Sequence, residues 1–179
     1  MITTQFINDC ISGEENAIQT LIRTHQRGVF QLVLSVIDDA EKSPQNSVEE
    51  AEAATRDTFI RALDRLPRYR EDIPFTTWLY TIAIEVARKR MRSMRIRRAL
   101  SGLFSRESNF YATPAHPDAN PGDEAMWQTV RKLKEEMRIP VVLRYYHDYP
   151  ISEIARLLHI SEGAVHARLD AARERIGAG

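Results

Sequence analysis

The residues best suited to binding chemistry lie in two stretches. Residues 88–98, RKRMRSMRIRR, hold seven bases and no acid. Residues 151–176, ISEIARLLHISEGAVHARLDAARERI, place Ile154, Ala155, Leu158, Ile160, Val165 and Leu169 on one apolar side. In that stretch Ser152 with Glu153, and Ser161 with Glu162, stand where N-caps and first-turn acids belong. Ala155 is small where two helices must approach, and Gly163 lies one turn into the second. The pattern is that of a helix-turn-helix, whose second helix normally enters a DNA major groove. A dense positive patch in the same chain suits phosphate contact. DNA is therefore the leading candidate partner.

Other chemistries find little support. The chain has no glycine-rich phosphate loop, nucleophile motif or paired carboxylates in a plausible cleft, so no catalytic residue and no cofactor is expected. The histidines lack metal-ligand spacing and Cys10 stands alone, so no metal site is expected either. The formal net charge is zero, which is unusual for a nucleic-acid binder. Residues 1–87 carry an acidic excess, however, so the positive charge is local to residues 88–98. No basic leader opens the chain, and Val29–Ile37 is too short to span a bilayer. Neither a signal peptide nor membrane insertion is expected, and the reading is cytoplasmic.

Helices must position these residues. Strand-like alternation is absent over long stretches, which predicts an all-α chain of two small helical domains joined by a linker. Apolar residues from Ala17 to Ile37 predict a helix over 14–37. A polar connector follows over 38–47, with Ser47 as the cap of a helix over 48–66. A proline-bounded loop spans Leu66–Pro74. Phe75, Trp78, Leu79, Ile82, Ala83 and Val86 then stripe a third helix that runs into the basic patch. Residues 99–122, with Pro114, Pro117 and Pro121, have linker composition. Trp127, Val130, Leu133 and Met137 open a second helical domain over 123–179, and Val141, Val142, Leu143, Tyr145 and Tyr146 form its next apolar face.

Two longer stretches carry a resemblance. TRDTFIRALDRLPRYREDIPFTTWLYTIAIEVARKRMR is similar to region 2, and RIPVVLRYYHDYPISEIARLLHISEGAVHARLDAARERI to region 4, of the extracytoplasmic-function sigma factors of bacterial RNA polymerase. The resemblance implies a division into region 2 (1–98), linker (99–122) and region 4 (123–179). It implies core polymerase (its clamp and flap) and promoter DNA as partners, with an anti-sigma factor as regulator. Polymerase contacts are implied at Glu50, Glu52, Asp57, Thr58 and Arg61. Reading of the −10 element and the upstream duplex is implied at Arg68, Tyr69, Arg70, Asp72, Ile73, Arg88, Lys89, Arg92 and Arg95. The loop offers the aromatic walls and cations that hold an unstacked base. Reading of the −35 element is implied at Ser161, Glu162, Ala164, His166, Ala167, Arg168 and Arg173.

Three departures from the family pattern stand out. Residues 50–54, EAEAA, lack one acid and one leucine; Glu85 replaces an asparagine near the phosphate path; and the recognition helix has His166 and Ala171 in place of bases. These leave two other readings open: a stand-alone helix-turn-helix regulator, or a sigma-like interaction protein that no longer reads promoters.

Overall fold

The computed structural model describes residues 3–37, 44–101 and 127–177, with side chains omitted for 44–46 and 97–101. Every regular element among them is helical: α1 (Thr4–Ile11), α2 (Glu15–Ile37), α3 (Pro44–Arg65), a 3-10 turn (Leu66–Arg68), α4 (Phe75–Ser101), a helical segment at 127–130, α5 (Glu135–Tyr145), α6 (Ile151–Leu158) and α7 (Glu162–Gly177). No described helix is long and apolar enough to cross a membrane. The expected linker at 99–122 falls outside the described residues beyond Ser101, to which α4 extends.

The sequence reading placed α2, α4, α6 and α7 correctly, and missed or shifted two elements. Thr3 caps α1 by accepting the Phe6 amide at 3.2 Å, and Ile7 and Cys10 bury its inner face. α3 begins at Pro44, not near Val48. Proline suits a first helical turn because its absent N–H has no helical acceptor there. Ser47 is therefore no cap; it is a buried residue inside α3.

α2, α3 and α4 pack around Val29, Leu32, Val33, Leu66, Leu79 and Ala83, all essentially inaccessible. The second half closes onto this bundle. The last four carbonyls of α2 have no partner within the helix. Arg138 of α5 supplies one: its Nε donates to the Ser35 carbonyl at 2.6 Å. Its Nη1 donates to the Arg131 and Leu133 carbonyls, at 2.9 and 3.2 Å, in the turn before α5. Tyr80 is buried between the halves. It stacks on Tyr149 with centroids 5.6 Å apart, and its hydroxyl lies 3.2 Å from His147 Nδ1. Gly28 permits this approach, since a Cβ there would stand 2.3 Å from the Tyr80 hydroxyl oxygen. Glu153 of α6 accepts from Thr77 at 3.4 Å, and Arg88 pairs with Glu135 at 3.1 Å.

Two outcomes follow from this closure. Replacing Arg138 by Leu strips three carbonyls of a charged donor, and we expect a loss of about 2–4 kcal/mol in urea unfolding of the whole chain. Burial holds the His147 pKa down at about 4, from an ordinary 6.5. The closed form therefore binds fewer protons than the open one. Its His147-dependent stability is complete above pH 6.5 and drains away as the pH falls toward 4. The pH dependence of the urea midpoint between pH 7 and 5 should flatten in His147→Gln.

Candidate nucleic-acid interface

The loop between the 3-10 turn and α4 is held by its own side chains. Tyr69 donates its hydroxyl to the Ile73 carbonyl at 2.8 Å, and its amide to Leu66 at 3.0 Å. The Pro74 carbonyl accepts from the Trp78 amide at 3.1 Å, which starts α4. The Tyr69, Phe75 and Trp78 rings meet with centroids 5.1–5.5 Å apart. Phe75 is core, while Tyr69 and Trp78 stay half-buried at its edge. Arg68, Arg70 and Asp72 are exposed and Ile73 is half-buried. The loop thus offers an aromatic base with cations around it, and Arg70 and Asp72 lie 3.8 Å apart.

Beside it lies a cavity of about 630 Å³, lined by Ile7 of α1, Thr24 and His25 of α2, and the loop residues up to Thr76. α1 is fastened to the loop by Thr4, whose hydroxyl donates to Glu71 at 2.8 Å. Sequence reasoning missed Thr4, Thr24 and His25. They are polar residues far from the loop in sequence, and only the fold brings them to it.

Along α4, Ala87, Met91 and Met94 turn inward at helical spacing, so Lys89, Arg92 and Arg95 are exposed on the outer side. Two bases of the run are committed elsewhere. Arg88, though exposed, is paired with Glu135. Arg90 pairs with Glu50 and, at 3.0 Å, with Asp57, both on α3.

Those pairs bear on the candidate polymerase contacts. Glu50 and Asp57 share Arg90, Arg61 lies 3.6 Å from Glu85, and Glu52 is exposed. Thr58 corrects the sequence reading. It is fully buried, and its hydroxyl donates to the Ala54 carbonyl at 2.7 Å, so it shapes α3 and presents nothing to a partner. Glu85 does not stand as a bare carboxylate beside the basic patch. Arg65 holds it through two bonds of 2.8 and 3.2 Å, and this pairing keeps its pKa below the usual carboxylate range.

In the second half, α6 ends at His159, whose φ of 55° makes the left-handed turn of the motif. Ser161 caps α7 by accepting the Ala164 amide at 3.2 Å. Ser152 is not a cap, because Pro150 precedes α6 and Ser152 lies inside it. Val165, Leu169 and Ala172 seat α7 on the core. Ser161, Glu162, His166, Ala167 and Arg173 are exposed, and Ala164 and Arg168 half-buried. Arg173 pairs with Asp170 at 2.9 Å and reaches the Tyr145 hydroxyl at 3.4 Å. Tyr145, expected on an apolar face, is exposed.

Both halves match known families. Residues 21–97 match the model of sigma-70 region 2, and residues 123–176 that of sigma-70 region 4. The chain belongs to the sigma-70 family, in its extracytoplasmic-function group. It is 26% identical to the RNA polymerase sigma-H factor of Pseudomonas aeruginosa, over 96% of this chain and 90% of that one. It is 27% identical to the ECF RNA polymerase sigma-E factor of Escherichia coli K12, over 92% of this chain and 86% of that one. Its fold is similar to that of the sigma factor RpoE from Bartonella quintana, solved with the anti-sigma factor NepR: TM-score 0.69, 16% identity, 88% of this chain and 92% of that one. CnrH, solved with the cytosolic domain of CnrY, is also similar, with a TM-score of 0.64, 22% identity, and 97% and 93% covered.

If Glu85 screens Arg61 and Arg65, then Glu85→Gln should tighten binding to duplex DNA of arbitrary sequence and steepen its salt dependence. Because the pairs are surface-exposed, stability should change by less than about 1 kcal/mol. Anisotropy titrations at two salt concentrations would read both effects of the freed arginines.

Proposed function

We propose that this chain is a promoter-specificity subunit, which binds core RNA polymerase and directs it to a small set of promoters. The observation that carries this reading is that both family halves occur in one chain, in order, each with exposed polar and basic side chains on its candidate DNA face. α7 reads the −35 element with Ser161, Glu162, Ala164, His166, Ala167, Arg168 and Arg173. The loop at Arg68, Tyr69, Arg70, Asp72 and Ile73 holds the opened −10 strand. Lys89, Arg92 and Arg95, with Arg88 once Glu135 releases it, follow the duplex phosphates. Outward residues of α3, Glu52 with Glu50, Asp57 and Arg61, meet the polymerase. The units are 1–98 and 123–179, joined through 99–122. The stand-alone regulator reading leaves residues 21–97 without a role.

The closed arrangement is not the promoter-bound one. Elements some 25 base pairs apart are about 85 Å apart along B-DNA. α4, the longest element at 27 residues, spans only about 40 Å. The halves must part to read both. An anti-sigma factor that favours the closed form would then block initiation; the similar RpoE was solved in complex with an anti-sigma factor, NepR. The chain acts in the cytoplasm and contributes no chemistry of its own, since nucleotide addition belongs to the polymerase.

Run-off transcription from host genomic DNA by core polymerase reconstituted with this chain should yield discrete, mappable start sites. Absence of any start site above core alone would overturn the assignment. On a mapped promoter, Arg92→Ala and Arg95→Ala should each weaken binding about equally across promoter sequences and reduce the salt slope by about one.

A further inference from the structure

The loop between the 3-10 turn and α4 is fixed unevenly. Its base is held by its own rings and by the bond of the Tyr69 hydroxyl to Ile73. Its turn, at Glu71 and Asp72, is exposed. Among the described residues, the hydrogen bond that ties this turn to another element runs from Thr4 Oγ1 to Glu71 Oε1, at 2.8 Å and across 67 positions of sequence. Glu71 is the one residue from Arg68 to Ile73 that the family resemblance leaves without a role.

α1 is built as a fixed post for that bond. Ile7 and Cys10 are buried, and Phe6 packs against the same core. The C-terminus of α1 closes in a Schellman turn: the Glu14 amide donates to the Asp9 carbonyl at 2.9 Å, and the Gly13 amide to the Cys10 carbonyl at 3.2 Å. Gly13 has a φ of 84°, which glycine adopts without strain. Ser12 to Glu14 alone separate α1 from α2, so α2 sets the pose of α1. Thr4 is the first residue of α1, and the first turn holds no acid of its own. The carboxylate that complements this positive helix end comes from the loop, as Glu71. A carboxylate held by a hydroxyl donor is also less free to meet an incoming phosphate, which it would repel.

We propose that α1 positions the strand-holding loop, with Thr4 as the positioning residue and Glu71 as the group through which it acts. The proposal rests on the reading of the chain as a promoter-opening subunit. Holding the turn before DNA arrives lowers the ordering cost of capturing the opened strand. Docking on duplex DNA through α7 and the outer side of α4 does not use the turn, so Thr4 acts on opening and not on docking.

The test uses holoenzyme on a promoter mapped by run-off transcription. It separates the equilibrium constant of the closed complex from the rate of opening, read by permanganate reactivity of unpaired thymines. Thr4→Val keeps the shape and removes the donor. It should slow opening about two- to fivefold, the range for one exposed charged contact, and leave the closed complex unchanged. Thr4→Ser restores the donor and should open at the wild-type rate. In a Glu71→Ala background, whatever that change does by itself, Thr4→Val should have no further effect. Urea midpoints confirm that the variants fold. Unchanged opening in Thr4→Val overturns the proposal. So does a loss that Thr4→Ser shares, that persists in the Glu71→Ala background, or that falls on the closed complex instead. A wild type that opens no promoter overturns the functional reading beneath it.

Discussion

The closed form of this chain depends on one buried guanidinium. A helix end packed inside a protein must find donors for its last carbonyls, and α2 ends where the second half docks. Arg138 meets that need at Ser35 while also closing the turn that leads into α5. Its positive charge suits the negative end of α2. That side chain ties the start of α5 to the end of α2, and Glu153 of α6 meets α4 separately at Thr77. The aromatic contact of Tyr80 with His147 and Tyr149, and the glycine opposite it, fill the rest of the junction.

Much of the architecture was legible in the sequence because it is local. The stripe from Phe75 to Val86, the Ser161 cap of the second helix of the helix-turn-helix and the proline-bounded loop are all written within a few residues of where they act. What was not legible is set by distant partners. Nothing near Arg90 indicates that it will pair with Glu50 and Asp57, or near Glu85 that Arg65 will grip it. A count of charges over residues 88–98 therefore overstates the cations open to a ligand. Tyr80 lies on the same helix as Trp78, and only the packing of the second half shows that it is buried. α1 was missed because its short apolar face acquires a meaning only against α2.

The candidate interface divides its work between rigid and charged parts. The mutual packing of Tyr69, Phe75 and Trp78 fixes the loop without the help of any ligand, so the aromatic surface is ready-made. Pre-organisation of this kind lowers the ordering cost of binding. The bases, by contrast, sit at the ends of long side chains on α4, where reach matters more than position. Glu85 keeps two arginines of α3 neutralised, so the basic surface is confined to one side of α4.

Arg88 and Glu135 join these two levels. Their pair is exposed and weak, and in effect Glu135 is a counter-ion that the chain carries for itself. A counter-ion on the same chain is present at a fixed local concentration, whatever the dilution of the protein. Any outside phosphate that claims Arg88 must compete with it. Occupancy of that arginine by a phosphate and separation of the two halves therefore each favour the other.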